Sequence, residues 1–249
     1  MLYQTENQHG GDVYGGGITL DFSANTNPLG TPPGVLEAVR RGLPQLHRYP
    51  DPYCRQLVQA ITAHEQVPAS YVLCGNGAAD LIYAYCAALR PRTAVEPAPT
   101  FAEYGLGLAQ VGCRVAPYFL HQAENFDLGE GFLPFLEEKN PEVVFLCTPN
   151  NPTGRLLPLP LLEQILQVCA ARGARVFLDE CFLDLTESGV SARSLLAAHP
   201  ELLILKAFTK SYGMAGIRLG YCLCADSALL RRMASASQPW NVSSLAQSA

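Results

Sequence analysis

The chain has 249 residues, 49% of them hydrophobic and 16% charged, and carries a formal net charge of −5. That length suits one large domain with a substantial core, and the composition excludes a disordered chain. The negative balance and the lack of any basic run argue against nucleic acid or an anionic membrane as partner, and no apolar run approaches a membrane span.

In chain order, residues 1–25 read as an N-terminal arm, polar and glycine-rich as far as Gly15-Gly16-Gly17, and residues 26–249 as one large domain. The opening Met1–Glu6 lacks the basic and apolar regions of a signal peptide. Thr31-Pro32-Pro33 predicts a helix to about Leu43, and Asp51-Pro52 predicts another over Tyr53–Gln66, with Tyr53, Leu57, Ala60, Ile61 and His64 on one face. Strand-like and helix-like segments then alternate. Tyr71–Cys74 is a strand, followed by Gly75-Asn76-Gly77 and a helix to about Leu89. Thr93–Glu96 is a strand, followed by a helix from Thr100 to about Val111. Cys113–Leu120 and Glu142–Cys147 are strands, and Leu159–Arg172 is a helix. Ala174–Leu178, Leu202–Leu205 and Leu219–Cys224 are strands, and Ser227 begins a helix. Asn241–Ala249 reads as the opening of a helix without a stop signal, so the chain is expected to break off there.

This alternation predicts an α/β fold, a three-layer α/β/α arrangement around a mixed, mainly parallel sheet. Sites in such sheets gather at the carboxyl ends of strands, where Gly77, Asn151, Asp179 and Lys210 fall. The nine cysteines, an odd number scattered through apolar stretches, fit reduced thiols in a cytoplasmic enzyme. Cys222 and Cys224 share a strand face with no histidine nearby, and no metal site is expected.

Four polar residues stand out. Asn151 lies in Thr148-Pro149-Asn150-Asn151-Pro152-Thr153-Gly154, and Asp179 follows Val176-Phe177-Leu178. Lys210 lies in Ala207-Phe208-Thr209-Lys210-Ser211-Tyr212-Gly213, and Arg218 in Gly216-Ile217-Arg218-Leu219-Gly220. Singly they read as a turn, a polar strand end and solvated loop residues. Together they form the set that holds pyridoxal 5′-phosphate. Lys210 forms a Schiff base with the aldehyde, Asp179 keeps the ring nitrogen protonated, and Asn151 donates to the phenolic oxygen. The planar fork of Arg218 suits phosphate oxygens. Gly75-Asn76-Gly77-Ala78-Ala79-Asp80 leads from strand to helix and offers backbone N–H groups to the phosphate, or is a plain tight turn. Phe101 is a core aromatic or the ring that stacks on the cofactor. No Gly-x-Ser-x-Gly elbow or histidine triad context is present, and the glycine-rich segments fit neither a P-loop nor a dinucleotide fingerprint.

These motifs resemble the class I and II aminotransferase family, pyridoxal phosphate enzymes of fold type I, over essentially the whole chain. The runs that carry the resemblance further are His9-Gly10-Gly11, Asp21–Gly30, Arg48-Tyr49-Pro50, Phe101-Ala102-Glu103-Tyr104-Gly105 and Pro239-Trp240. His9-Gly10-Gly11 and Asp21–Gly30 favour the branch that decarboxylates L-threonine O-3-phosphate in cobalamin biosynthesis, close to the histidinol-phosphate aminotransferases. The resemblance implies that Thr209, Arg218 and the N–H groups of Ala78 and Ala79 hold the cofactor phosphate. It also implies that Tyr49 reaches the phosphate of a neighbouring subunit in a homodimer, that Asn27 and Gly30 line the substrate pocket, and that His9 approaches the substrate phosphate. Phe182 stands where many of the aminotransferases carry a tyrosine, and the resemblance implies that the decarboxylating branch carries Phe there too. Ala207 stands where a phosphate-binding Ser or Thr is usual. The C-terminal small domain, with its carboxylate-binding arginine, is expected to be missing. Amino transfer to 2-oxoglutarate is the alternative activity, and a cofactor-binding piece without turnover is a further one.

Overall fold

The structure is a computed structural model and describes residues 10–249, so His9 lies outside the described residues. Its strands are β1 (Val72–Gly75), β2 (Thr93–Ala98), β3 (Arg114–Phe119), β4 (Val143–Cys147), β5 (Arg175–Asp179), β6 (Leu202–Ala207) and β7 (Gly220–Cys224). They form one sheet in the order β1-β7-β6-β5-β4-β2-β3. Its helices are α1 (Pro33–Gly42), α2 (Arg55–Glu65), α3 (Ala78–Leu89), α4 (Ala102–Gln110), α5 (Phe132–Lys139), α6 (Leu159–Ala171), α7 (Phe208–Ser211), α8 (Ser227–Ala236) and α9 (Ser244–Ser248).

Successive strand side chains point to opposite faces, and over the central strands both faces are covered, which is why β4, β5, β6 and β7 are largely apolar. Val144, Leu146, Val176, Leu178, Leu202 and Ile204 join one core with residues of α2, α5, α6 and α9. Their alternates Val143, Phe145, Phe177, Leu203 and Leu205 join a second core with residues of α3, α4 and α8. Each fully buried Leu, Val or Phe contributes about 1.5–3 kcal/mol of transfer free energy. The result is the expected α/β/α arrangement.

The sheet is parallel between β2 and β3, β2 and β4, β4 and β5, and β5 and β6. Its mixed character resides in β7, which runs antiparallel to both β6 and β1. The consequence is functional. The carboxyl ends of β1, β2, β4, β5 and β6 open on the rim where β7 begins, so residues after five strands and before a sixth meet there. Among the described residues no helix is long and apolar enough to cross a membrane.

Some boundaries differ from the sequence pattern. The helix predicted from Tyr53 starts at Arg55, because the Asp51 carboxylate accepts the N–H groups of Tyr53 at 3.0 Å and Arg55 at 2.9 Å while Cys54 turns through φ 47°. The helix predicted from Thr100 starts at Ala102, since Phe101 is still extended. The helix α5 escaped the pattern. Pro134 sits in its first turn, where the missing N–H has no intrahelical partner to lose.

Candidate active site

At this rim lies a cavity of about 170 Å³. A larger hollow of about 540 Å³ lies elsewhere, between Tyr53, Cys54, Cys74 and Trp240, but no charged side chain lines it. We therefore take the smaller cavity as the site.

On the cavity wall stands Asp179, the last residue of β5 and only 4% exposed. Its Oδ2 accepts the Tyr104 hydroxyl at 2.7 Å and its Oδ1 accepts the Cys181 N–H at 2.8 Å. Burial pushes the carboxyl up, while these donors and the Lys210 charge pull it down. Tyr104 is itself fully buried, stacked on Phe145 with ring centroids 5.3 Å apart.

Lys210 lies on the short helix α7, just past β6. Burial lowers its pKa, and Arg218 lowers it further, against the opposing pull of Cys181 and Asp179. Its Nζ lies 5.4 Å from the centre of the Phe182 ring. Lys206, four residues earlier on β6, shows the contrast. Burial opposes its charge, but Glu65, Asp184 and Glu180 outweigh it, with Nζ 3.1 Å from Glu65 and 3.4 Å from Asp184. A lysine held protonated in ion pairs is a poor nucleophile, and a lysine with a lowered pKa is a better one. The buried Glu180 is a structural neighbour, accepting from Ser191 Oγ at 2.7 Å and Ala192 N–H at 2.8 Å.

The wall also carries cationic groups. The N-terminus of α3 presents Ala78 and Ala79, with Thr209 and Arg218 also on the wall. Gly77 precedes them at φ 85°, and a Cβ built on it would stand 2.6 Å from Arg218 Nη2. Only glycine allows both the backbone angle and the close approach of the guanidinium. Helix N–H groups facing an arginine make a cradle for an anion. Asn151 and Phe101, from the loops after β4 and β2, line the same cavity.

Thus Ala78, Ala79, Phe101, Asn151, Asp179, Thr209, Lys210 and Arg218 share one cavity, with Gly77 behind it. Three further candidates do not line it. Tyr49 is 79% exposed and stacks on Trp240 at 4.6 Å. Asn27 donates from its backbone N–H to the Lys210 carbonyl at 2.9 Å and from its side chain to the Ser211 carbonyl at 2.8 Å. Gly30, at φ 75°, packs against the backbone of Gly213. Asn27 and Gly30 thereby brace the loop that carries Lys210. Tyr104, Cys147 and Cys181 line the site without having been singled out. The signal for Tyr104 was its place one helical turn after Phe101, since a buried aspartate needs donors.

A family profile described as Aminotransferase class I and II matches residues 18–249. Threonine-phosphate decarboxylase of Salmonella typhimurium is 41% identical over 227 residues, which cover 91% of this chain and 62% of that protein. Histidinol-phosphate aminotransferase of Desulfitobacterium hafniense is 34% identical over 239 residues, 93% of this chain and 64% of that protein. The crystal structure of the histidinol-phosphate aminotransferase from Clostridium acetobutylicum matches with a TM-score of 0.82 at 26% identity, over 90% of this chain and 66% of that one. The L-threonine-O-3-phosphate decarboxylase from Porphyromonas gingivalis matches with a TM-score of 0.78 at 24% identity, a likeness of fold. The chain spans just under two thirds of the length of the curated relatives it matches. Matched by one profile from residue 18 to residue 249, and folded as proteins of that kind fold, the chain belongs to the class I and II aminotransferase family.

Proposed function

We propose that the cavity takes pyridoxal 5′-phosphate and that the whole protein decarboxylates L-threonine O-3-phosphate to (R)-1-amino-2-propanol O-phosphate, a step in cobalamin biosynthesis. One observation carries the cofactor reading: a buried carboxylate, a lysine of lowered pKa and an anion cradle line a single cavity. The residues fit the group. Gly77 lets the Arg218 guanidinium pack directly against the start of α3, beside the N–H groups that would share a phosphate with it, and Asp179 is a buried carboxylate whose charge burial opposes, suited to a cationic ring nitrogen.

When bound, the cofactor supplies an electron sink for the pair left on the substrate Cα when a bond there breaks. The chain supplies the rest. Lys210 would hold the cofactor covalently, and its Nζ is the group that would hold or deliver a proton at the substrate Cα. Asp179 keeps the ring nitrogen charged, and Tyr104 and the Cys181 N–H hold that carboxylate in place. Ala78, Ala79, Thr209 and Arg218 grip the phosphate, Asn151 serves the phenolic oxygen and Phe101 covers the ring.

The decarboxylase reading is supported by the 41% identity to threonine-phosphate decarboxylase and by Phe182. The 34% identity to histidinol-phosphate aminotransferase supports amino transfer as the second reading. The reading also makes the protein a cytoplasmic homodimer in which Tyr49 serves the neighbouring site. All nine cysteines are free, which suits a reducing compartment.

The test is chemical. Borohydride should fix the cofactor onto Lys210 and bleach its visible band, and Lys210→Ala should abolish that fixation; labelling of Lys206 instead would refute the assignment. The full-length protein should release stoichiometric CO2 from threonine phosphate alone and form no glutamate from histidinol phosphate with 2-oxoglutarate. Glutamate without CO2 would select amino transfer.

A further inference from the structure

We infer that Asn150 is a positioning residue that joins the two loops facing the cofactor, those of Phe101 and Asn151. The inference rests on the reading that the cavity takes pyridoxal 5′-phosphate.

The need for such a tie comes from the sheet. β2 and β4 pair only at Ala94 with Val143 and Val95 with Val144. Beyond that point β2 keeps its ladder to β3 as far as Ala98, and β4 keeps its ladder to β5 as far as Cys147. The two carboxyl ends therefore part. A void of about 20 Å³ lies between them, lined by Pro97, Leu146, Cys147 and Asn150 among others. The loop bearing Phe101 leaves one side of this split and the loop bearing Asn151 leaves the other.

Asn150 spans the split. Its Oδ1 accepts the Thr100 hydroxyl at 2.8 Å, and its amide nitrogen donates to the Pro99 carbonyl at 3.0 Å. The second amide proton goes to Thr153 Oγ1 at 3.0 Å. The Pro99 carbonyl can only accept, which fixes the orientation of the amide. The Asn150 backbone is held as well, donating to the Arg155 carbonyl at 2.8 Å and accepting from the Gly154 N–H at 2.7 Å. On its far side the same loop joins β5, where the Thr148 N–H donates to the Asp179 carbonyl at 2.8 Å. A continuous belt thus runs from Thr100 and Phe101 through Asn151 to Asp179, and the Asn150 side chain spans it between the β2 and β4 loops.

Residue type matters here. Asn150 is 9% exposed, so any of its own amide groups left unpaired would be a buried polar group. Asp offers no donor to Pro99, and Ser or Thr offers too few groups for all three bonds. Asn150 does not itself line the cavity, so any effect on the cofactor passes through its neighbours.

The experiment uses the full chain loaded with pyridoxal 5′-phosphate, and the variants Asn150→Asp, Thr100→Val and, as reference, Asn151→Ala. Three quantities are read: cofactor Kd, the pH midpoint of the visible band of the lysine-linked cofactor, and the thermal midpoint of the apoprotein. A donor on the phenolic oxygen competes with the proton on the linked nitrogen, so loosening Asn151 raises the band midpoint. Asn150→Asp is expected to raise Kd about tenfold and to move the band midpoint upward, as Asn151→Ala does. Thr100→Val is expected to move both in the same direction by less. A folded Asn150→Asp with wild-type Kd and band midpoint would overturn the inference, as would a lowered thermal midpoint with an unmoved band. If Asn150→Asp does not fold, an unmoved band in Thr100→Val overturns it. A wild-type chain with no Lys210-dependent band defeats the cofactor reading and this inference with it, and the wild-type spectrum alone distinguishes that failure.

Discussion

Asp179 and Tyr104 form the pair on which the electronics of the site rest. The Tyr104 hydroxyl is one of the few forces that lower the Asp179 pKa against burial. Tyr104→Phe keeps the ring against Phe145 and removes only the donor. A hydrogen bond to a charged group is worth about 1.5–3 kcal/mol, so turnover of the full-length protein should fall roughly tenfold or more. The acid limb of its pH profile should shift upward. An unshifted acid limb would show that the bond does not tune Asp179. Asp179→Asn tests the same group through stability. A carboxyl whose folded pKa is raised gives stability that is full below its unfolded pKa and is lost as pH rises through the folded value. The neutral amide avoids that loss, so the Asp179→Asn apoprotein should melt higher than wild type near neutral pH, and at the same temperature in strong acid. Its turnover should nonetheless fall far more than its cofactor occupancy.

At the scale of the element, β2 carries an unusual burden. Glu96 lies within it beneath α4, where a Cβ built on Gly105 would be 3.4 Å from Glu96 Oε1, and its Oε2 has no hydrogen-bond partner. Burial pushes this carboxyl to about 7. The sign is that of a raised acid: stability is greatest in acid and is lost as pH rises through about 7. Glu96→Gln should therefore melt above wild type at pH 8, with the gap closing towards pH 5; a gap independent of pH would contradict this. The central strands were legible because burial on both faces makes them largely apolar, and Gly77, Asn151, Asp179 and Lys210 were legible because each follows or ends such a run. The contacts that finish the site were not. Tyr104 meets Asp179 across 75 residues, and Asn150 meets Thr100 across 50, and no local periodicity marks such pairs. The start of α2 was misplaced because Asp51 caps the turn through its side chain while Cys54 adopts a left-handed angle, a choice made by hydrogen bonding and not by hydrophobic spacing.

The whole molecule leaves a set of large apolar side chains in solvent. Leu20 is 74% exposed, Phe22 87%, Leu29 90% and Tyr49 79%. In the proposed homodimer a second copy is available to cover such side chains. The dimer reading makes a distinctive prediction, because Lys210 and Tyr49 would then serve one site from different subunits. Lys210→Ala destroys the covalent attachment in its own cavity but keeps Tyr49, and Tyr49→Ala weakens the phosphate grip on its neighbour but keeps Lys210. Each variant alone should hold the cofactor weakly. When the two are unfolded together and refolded as a mixture, heterodimers should regain one intact site each, and tight, borohydride-fixable binding should return on the Tyr49→Ala chains. Light scattering should show the dimer mass in all samples. If the mixture binds no better than the average of its two components, Tyr49 does not act across the interface, and its stacking on Trp240 is then its whole role.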